Sequence, residues 1–129
     1  MRDYQRKKNN PYLLPHNLYM QVKYLIRDYD RIKSEYHDIV DIDGISLSDV
    51  PIRAGVGDPT ARKAEKADRL FDQLTAIEQA LIKVPPEYRK GVFDEARYGG
   101  GFPIDAAIST YKYWKHRFLY YVAEQLKFV

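Results

Sequence analysis

The ten residues STYKYWKHRF, Ser109 to Phe118, gather two hydroxyls, three cations, an imidazole and four aromatic rings with no acid among them. Such a set can meet a polyanion. Cations neutralise phosphates or reach guanine edges, and Ser or Thr hydroxyls bond backbone oxygens or bases. The same set also describes an amphipathic helix that buries its rings and solvates its charges. A lone His116 reads first as a surface residue, and the tyrosines read first as packing. A platform for single strands would spread its aromatics over an open sheet or groove, whereas these lie on a helix.

Other chemistries are poorly served. The chain has no Cys, so disulfides, thiol catalysis and thiolate metal sites are excluded. His16, His37 and His116 lack metal-ligand spacing. Asp28 and Asp30, two residues apart on a helix, do not face the same way. Gly99-Gly100-Gly101 lacks the lysine and the preceding strand of a phosphate loop. Asp41-Ile42-Asp43-Gly44 resembles part of a calcium loop. Aligning Gly44 with that loop's glycine, however, puts Ile39 and Val50 at the first and last ligand positions, which rejects the site. The expectation is a protein that is not an enzyme and uses no cofactor or metal.

The elements that must position Ser109 to Phe118 follow from periodicity. A chain of 129 residues suits one domain, and 45% apolar with 30% charged residues suits a soluble globular protein. No apolar run approaches the roughly 18 residues of a membrane span. The start, MRDYQRKKNN, is basic without the apolar stretch of a secretory signal, which with the missing Cys points to the cytoplasm. Residues 1–16 read as a basic flexible arm, with Pro11 and Pro15 bracketing an extended entry. Leu18, Val22, Leu25, Tyr29, Ile32, Tyr36 and Ile39 then alternate spacings of 4 and 3, the seam of three heptads. That predicts a helix over 17–39, with Asn17 as its N-cap.

Residues 41–58 read as a loop, and Asp58-Pro59 as the cap and first residue of a second helix ending near Lys83. Residues 17–84 would pair as an antiparallel, coiled-coil-like hairpin, with a homodimer through the same seam as the competing use. Residues 85–129 form a further helical unit. Pro86 opens a helix weakened at Gly91 by about 1 kcal/mol relative to Ala. Gly99-Gly100-Gly101 ends it, because glycine takes left-handed angles without steric cost. Residues 104–108 make a single turn of helix, and Ser109 caps the last helix, which runs to about Lys127. On a helical wheel Tyr111, Trp114, Phe118, Tyr121, Val122 and Leu126 share the packing face. Ser109, Thr110, Lys112, Tyr113, Lys115, His116 and Arg117 are the candidate DNA-binding residues. Net charge is only +3, but Lys112, Lys115 and Arg117 concentrate positive charge locally, with Glu124 the nearby acid after Asp105.

Residues 57–129 carry a family resemblance. Gly57-Asp58-Pro59-Thr60, Pro86 to Gly91, Ala107, Ser109-Thr110-Tyr111, Trp114-Lys115, Arg117-Phe118, Val122-Ala123 and Leu126 resemble RinA-like or ArpU-like transcriptional regulators of phage late genes in Gram-positive bacteria. The spacing by itself reads as an all-α fold, and the resemblance implies a DNA-binding regulator in a bacterial host cell. It also implies a C-terminal part like the helix-turn-helix of sigma-factor region 4, with the last helix reading double-stranded DNA. RNA polymerase is a further candidate partner. A full helix-turn-helix needs a complete helix before its turn, and Gly99 to Ile108 offers ten residues, three of them Gly and one Pro. Either one turn of helix or the preceding helix must fill that role. A small terminase-like packaging subunit and a coiled-coil interaction module without nucleic-acid binding are the alternative functions.

Overall fold

The computed structural model describes residues 5, 9–42 and 59–129. Every regular element among them is helical, as the spacing predicts: α1 (His16–Arg27), α2 (Tyr29–His37), a π-helical turn (Asp38–Ile42), α3 (Pro59–Ile82), α4 (Pro86–Tyr98) and α5 (Ile108–Gln125). No helix among the described residues is long and apolar enough to cross a membrane.

The single helix expected over 17–39 is two helices. The chain leaves α1 at Asp28 (ψ 1°), whose N–H is shared between the carbonyls of Tyr24 and Leu25. The heptad seam is thus divided between two helices. In α1 the buried side chains are Tyr19, Val22 and Ile26, while Leu18 and Leu25 are only half-buried. Tyr29 and Ile32 are buried in α2, and Tyr36 and Ile39 half-buried. Asn17 is not the cap either. Pro15 holds that position without a side-chain bond, in keeping with the fixed backbone angle that suits proline to helix starts. The proposed Asp58 cap and the calcium-like Gly44 lie outside the described residues.

The chain divides into two compact units, 1–28 with 76–129, and 29–75. In the first, α1 packs on both α4 and α5, and α4 packs on α5. Val22 and Ile26 of α1, Val92 and Ala96 of α4, and Phe118, Leu119 and Val122 of α5 supply buried core, together with Ile77, Ala80 and Val84. The first part of the helix expected to pair in a hairpin, α1, thus packs against the C-terminal helices. In the second unit Ala67, Leu70 and Leu74 of α3 are buried, as are Tyr29 and Ile32. Tyr36 meets Phe71 with ring centroids 5.9 Å apart, and Glu35 pairs with Lys66 and, at 3.2 Å, with Arg31.

The corner between α3 and α4 follows the proline logic of the sequence. Pro85 occupies the cap position of α4 and Pro86 its first turn. Arg89, one turn into α4, reaches back to the end of α3. Its Nε donates to the carbonyls of Leu81 and Val84 at 3.1 and 3.2 Å, and its Nη2 to those of Ile82 and Val84 at 3.0 and 2.9 Å. These carbonyls lie at and just beyond the carboxy-terminal end of α3, where donors within the helix run out, although that of Leu81 also accepts the Val84 N–H at 3.0 Å; a cation there also complements the helix dipole. At its far end α4 stops as the glycines require, with φ of +74°, +91° and +92° at Gly99, Gly100 and Gly101. The residues that follow turn without forming a helix, so the expected turn of helix over 104–108 is absent. α5 begins at Ile108 with Ala107, not Ser109, at its cap position.

Candidate nucleic-acid interface

α5 is held by one long buried stripe. Tyr111, Lys115, Phe118, Leu119, Val122 and Ala123 face inward. The wheel drawn from sequence is thus rotated: Trp114 and Tyr121 sit half-buried on the flank, and a lysine takes a core position.

Tyr111 anchors the amino-terminal end of this stripe. Its ring is 1% exposed and lies parallel to Phe102 (5.3 Å, 9°) and edge-on to Tyr88 (5.5 Å). Its hydroxyl donates to the Asp105 carboxylate. Losing that bond on ionisation, aided by burial, pushes the Tyr111 hydroxyl up to about 12. Gly91 explains why α4 and α5 can approach so closely here. A Cβ at Gly91 would stand 2.7 Å from Tyr111 Cε1 and 2.8 and 2.9 Å from the Pro103 ring. The glycine that weakens α4 as an isolated helix is the one that lets it dock.

Lys115 does not belong to the outward set. It is 7% exposed, and its Nζ stands 3.7 Å from Glu95 Oε1 on α4. The other oxygen of Glu95 accepts the Gly101 N–H at 2.6 Å, so one carboxylate serves both the glycine turn and the buried lysine. A charge this far from water needs such a partner. Its spacing of four from Tyr111 and three from Phe118 is the signal that places it inside.

The other predicted residues lie off the buried stripe. Ser109 and Tyr113 are exposed, and Thr110, Lys112, His116 and Arg117 are half-buried. His116 leans toward α1, edge-on to Tyr19 with centroids 6.4 Å apart. Arg117 is held between two rings, its guanidinium carbon 3.9 Å from the centroids of both Tyr12 and Tyr113. Trp114 lies edge-on to Tyr113 at 5.0 Å and 5.9 Å from the same guanidinium.

Tyr12 is the participant that sequence reasoning placed in a flexible arm. Its backbone N–H donates to the Asn10 side chain at 2.9 Å, a turn that asparagine favours. Gln5 makes two bonds to the backbone of Leu14, at 2.9 and 2.8 Å. This shaped segment delivers the Tyr12 ring edge-on to Tyr120 (5.3 Å) and Tyr121 (6.0 Å) on α5. Burial, with Tyr12 beside it, raises the Tyr121 hydroxyl, while the positive charge of Arg117 opposes the rise. The signal was available in PYLLP: three large apolar or aromatic residues between prolines, just ahead of an amphipathic helix. Lys83 closes the same flank, 3.2 Å from Glu124 and 5.1 Å from the Tyr121 ring.

The arrangement offers hydroxyls, an exposed ring and two half-buried cations in the amino-terminal half of a helix whose start no side chain caps. Among the described residues no three His, Asp or Glu side chains are placed to hold a metal ion. No protein-family model, curated protein or solved structure matches the chain.

Proposed function

We propose that the chain is a double-stranded-DNA-binding transcriptional regulator of the phage or prophage type, with α5 as its recognition helix. The observation that carries this reading is the outward face of α5. Ser109, Thr110, Lys112, Tyr113, His116 and Arg117 all lie off its buried stripe, and the helix contains no acid before Glu124. Recognition helices contact bases with their amino-terminal residues, and that end of a helix favours phosphate. α4 would serve as the helix that precedes the turn. The regulatory role and its phage setting rest on the sequence resemblance alone.

Fluorescence anisotropy of labelled duplex DNA across a salt series tests the proposal. Binding by the parent should weaken steeply with salt, since phosphate neutralisation releases counterions. Lys112→Glu with Arg117→Glu should abolish binding while far-UV circular dichroism stays unchanged. Lys115 is left out of that variant because it is buried. No binding by the parent at low salt, or undiminished binding by the variant, refutes the proposal.

A further inference from the structure

Arg117 is a candidate DNA contact, but two of its neighbours decide how it can act. A guanidinium stacked face-on between rings keeps its N–H donors in the plane, directed away from both rings. Here the two rings come from different places. Tyr113 is one turn back on α5, and Tyr12 comes from the segment ahead of α1, with both centroids 3.9 Å from the guanidinium carbon. Arginine has five N–H donors in a fixed fork, and that fork can meet a flat acceptor with two oxygens or an oxygen and a nitrogen.

We infer that Tyr12 is a positioning residue for DNA recognition: by completing the stack on Arg117 it fixes the fork for a bidentate acceptor, either a phosphate or the O6/N7 edge of guanine. The inference rests on the DNA-binding reading above and extends it to a residue outside the recognition helix. The segment bearing Tyr12 is suited to the task. The Asn10 turn and the Gln5–Leu14 bonds shape its backbone, and its contacts with Tyr120 and Tyr121 seat the ring independently of Arg117. A flexible arginine must be ordered on binding, whereas a stacked one is ordered beforehand and loses less freedom.

Three variants separate the roles. Arg117→Lys keeps the charge and loses the fork. Tyr12→Leu keeps apolar bulk and loses the ring. Tyr12→Phe keeps the ring. A stacking contact of this kind, at an exposed site, corresponds to about a two- to five-fold change in affinity. Tyr12→Leu should weaken duplex binding by that factor, Tyr12→Phe should not, and Tyr12→Leu added to Arg117→Lys should produce no further loss. Comparing dA·dT with dG·dC duplexes distinguishes the acceptors. Equal loss on both assigns the fork to phosphate, and loss confined to dG·dC assigns it to guanine. Either supports the inference.

Tyr12→Leu binding as tightly as the parent overturns it, as does full additivity of the two substitutions. A parent that binds no DNA at low salt overturns it too, but by removing the reading beneath it. The stack itself has a DNA-free readout. The Arg117 Nε–H proton should carry an upfield ring-current shift in NMR spectra of the parent and Tyr12→Phe, and a reduced one in Tyr12→Leu. An unshifted proton in the parent shows that no stack exists in solution. Thermal melts of each variant separate a lost stack from a lost fold.

Discussion

Replacing Gly91 with alanine sets two effects of opposite sign against each other. On an isolated helix the change stabilises by about 1 kcal/mol, because alanine loses less backbone freedom. In α4 the new Cβ would meet Tyr111 Cε1 at 2.7 Å and two Pro103 ring carbons at 2.8 and 2.9 Å. Comfortable carbon–carbon contacts begin at about 3.5 Å, so each overlap exceeds half an ångström. The neighbours have little freedom to give way. Tyr111 is pinned by Phe102, Tyr88 and Asp105, and Pro103 is a closed ring. Overpacking of a tight core costs about 1–3 kcal/mol, and three contacts with rigid groups put this site at the upper end. The expected net effect is a destabilisation of about 1–2 kcal/mol. With a urea slope of about 1–3 kcal/mol per molar, the midpoint should fall by roughly 0.3–2 M. Urea unfolding followed by the fluorescence of Trp114, the one tryptophan of the chain, measures it. A variant as stable as the parent, or more stable, would show that α4 and α5 do not approach at Gly91 as described.

Lys115→Met should change thermal stability yet leave the affinity for duplex DNA and its salt dependence unaltered, because Lys115 faces Glu95 inside the fold; a reduced salt slope in binding titrations would place it on the surface instead. The Tyr111 hydroxyl is raised from 10.0 to about 12, first by its bond to Asp105. A group raised on folding contributes stability that is present below its unfolded value and lost as pH rises through the folded one. The parent should therefore lose stability between about pH 10 and 12, and Tyr111→Phe should lose less over that window in urea titrations. Glu35 is lowered from 4.5, chiefly by its bond to Lys66. Its contribution is present above the unfolded value and fades as pH falls through the lowered one, so acid titration of Glu35→Gln should show a shallower decline than the parent.

Helix existence was legible because proline, glycine and apolar spacing agree locally. The expected second helix ends near Lys83 and α3 ends at Ile82, and the glycine stop falls at Gly99 as predicted. What was not legible depends on contacts between distant residues. The seam from Leu18 to Ile39 keeps its period across Asp28, so spacing alone carries the helix straight through a place where the backbone breaks it. Lys115 looks like one of three equivalent cations until Glu95, twenty residues earlier, is seen beside it. Tyr12 reads as part of a basic flexible arm because its partners, Arg117, Tyr120 and Tyr121, are more than a hundred positions away. Gly91 reads as a helix fault because only tertiary approach reveals what a side chain there would strike.

The reach of Arg89 across the proline corner makes the last turn of α3 conditional on α4. Its guanidinium donates to the carbonyls of Leu81 and Ile82 in that turn and of Val84 just beyond it. When α4 undocks, that end of α3 must exchange fixed donors for water. The two helices should thus open as one cooperative segment in amide hydrogen exchange, with the amides of α4 and of the final turn of α3 sharing a protection factor. Arg89→Ala would uncouple them: the end of α3 would exchange early, by local fraying, while the centre of α4 kept the parent's rate.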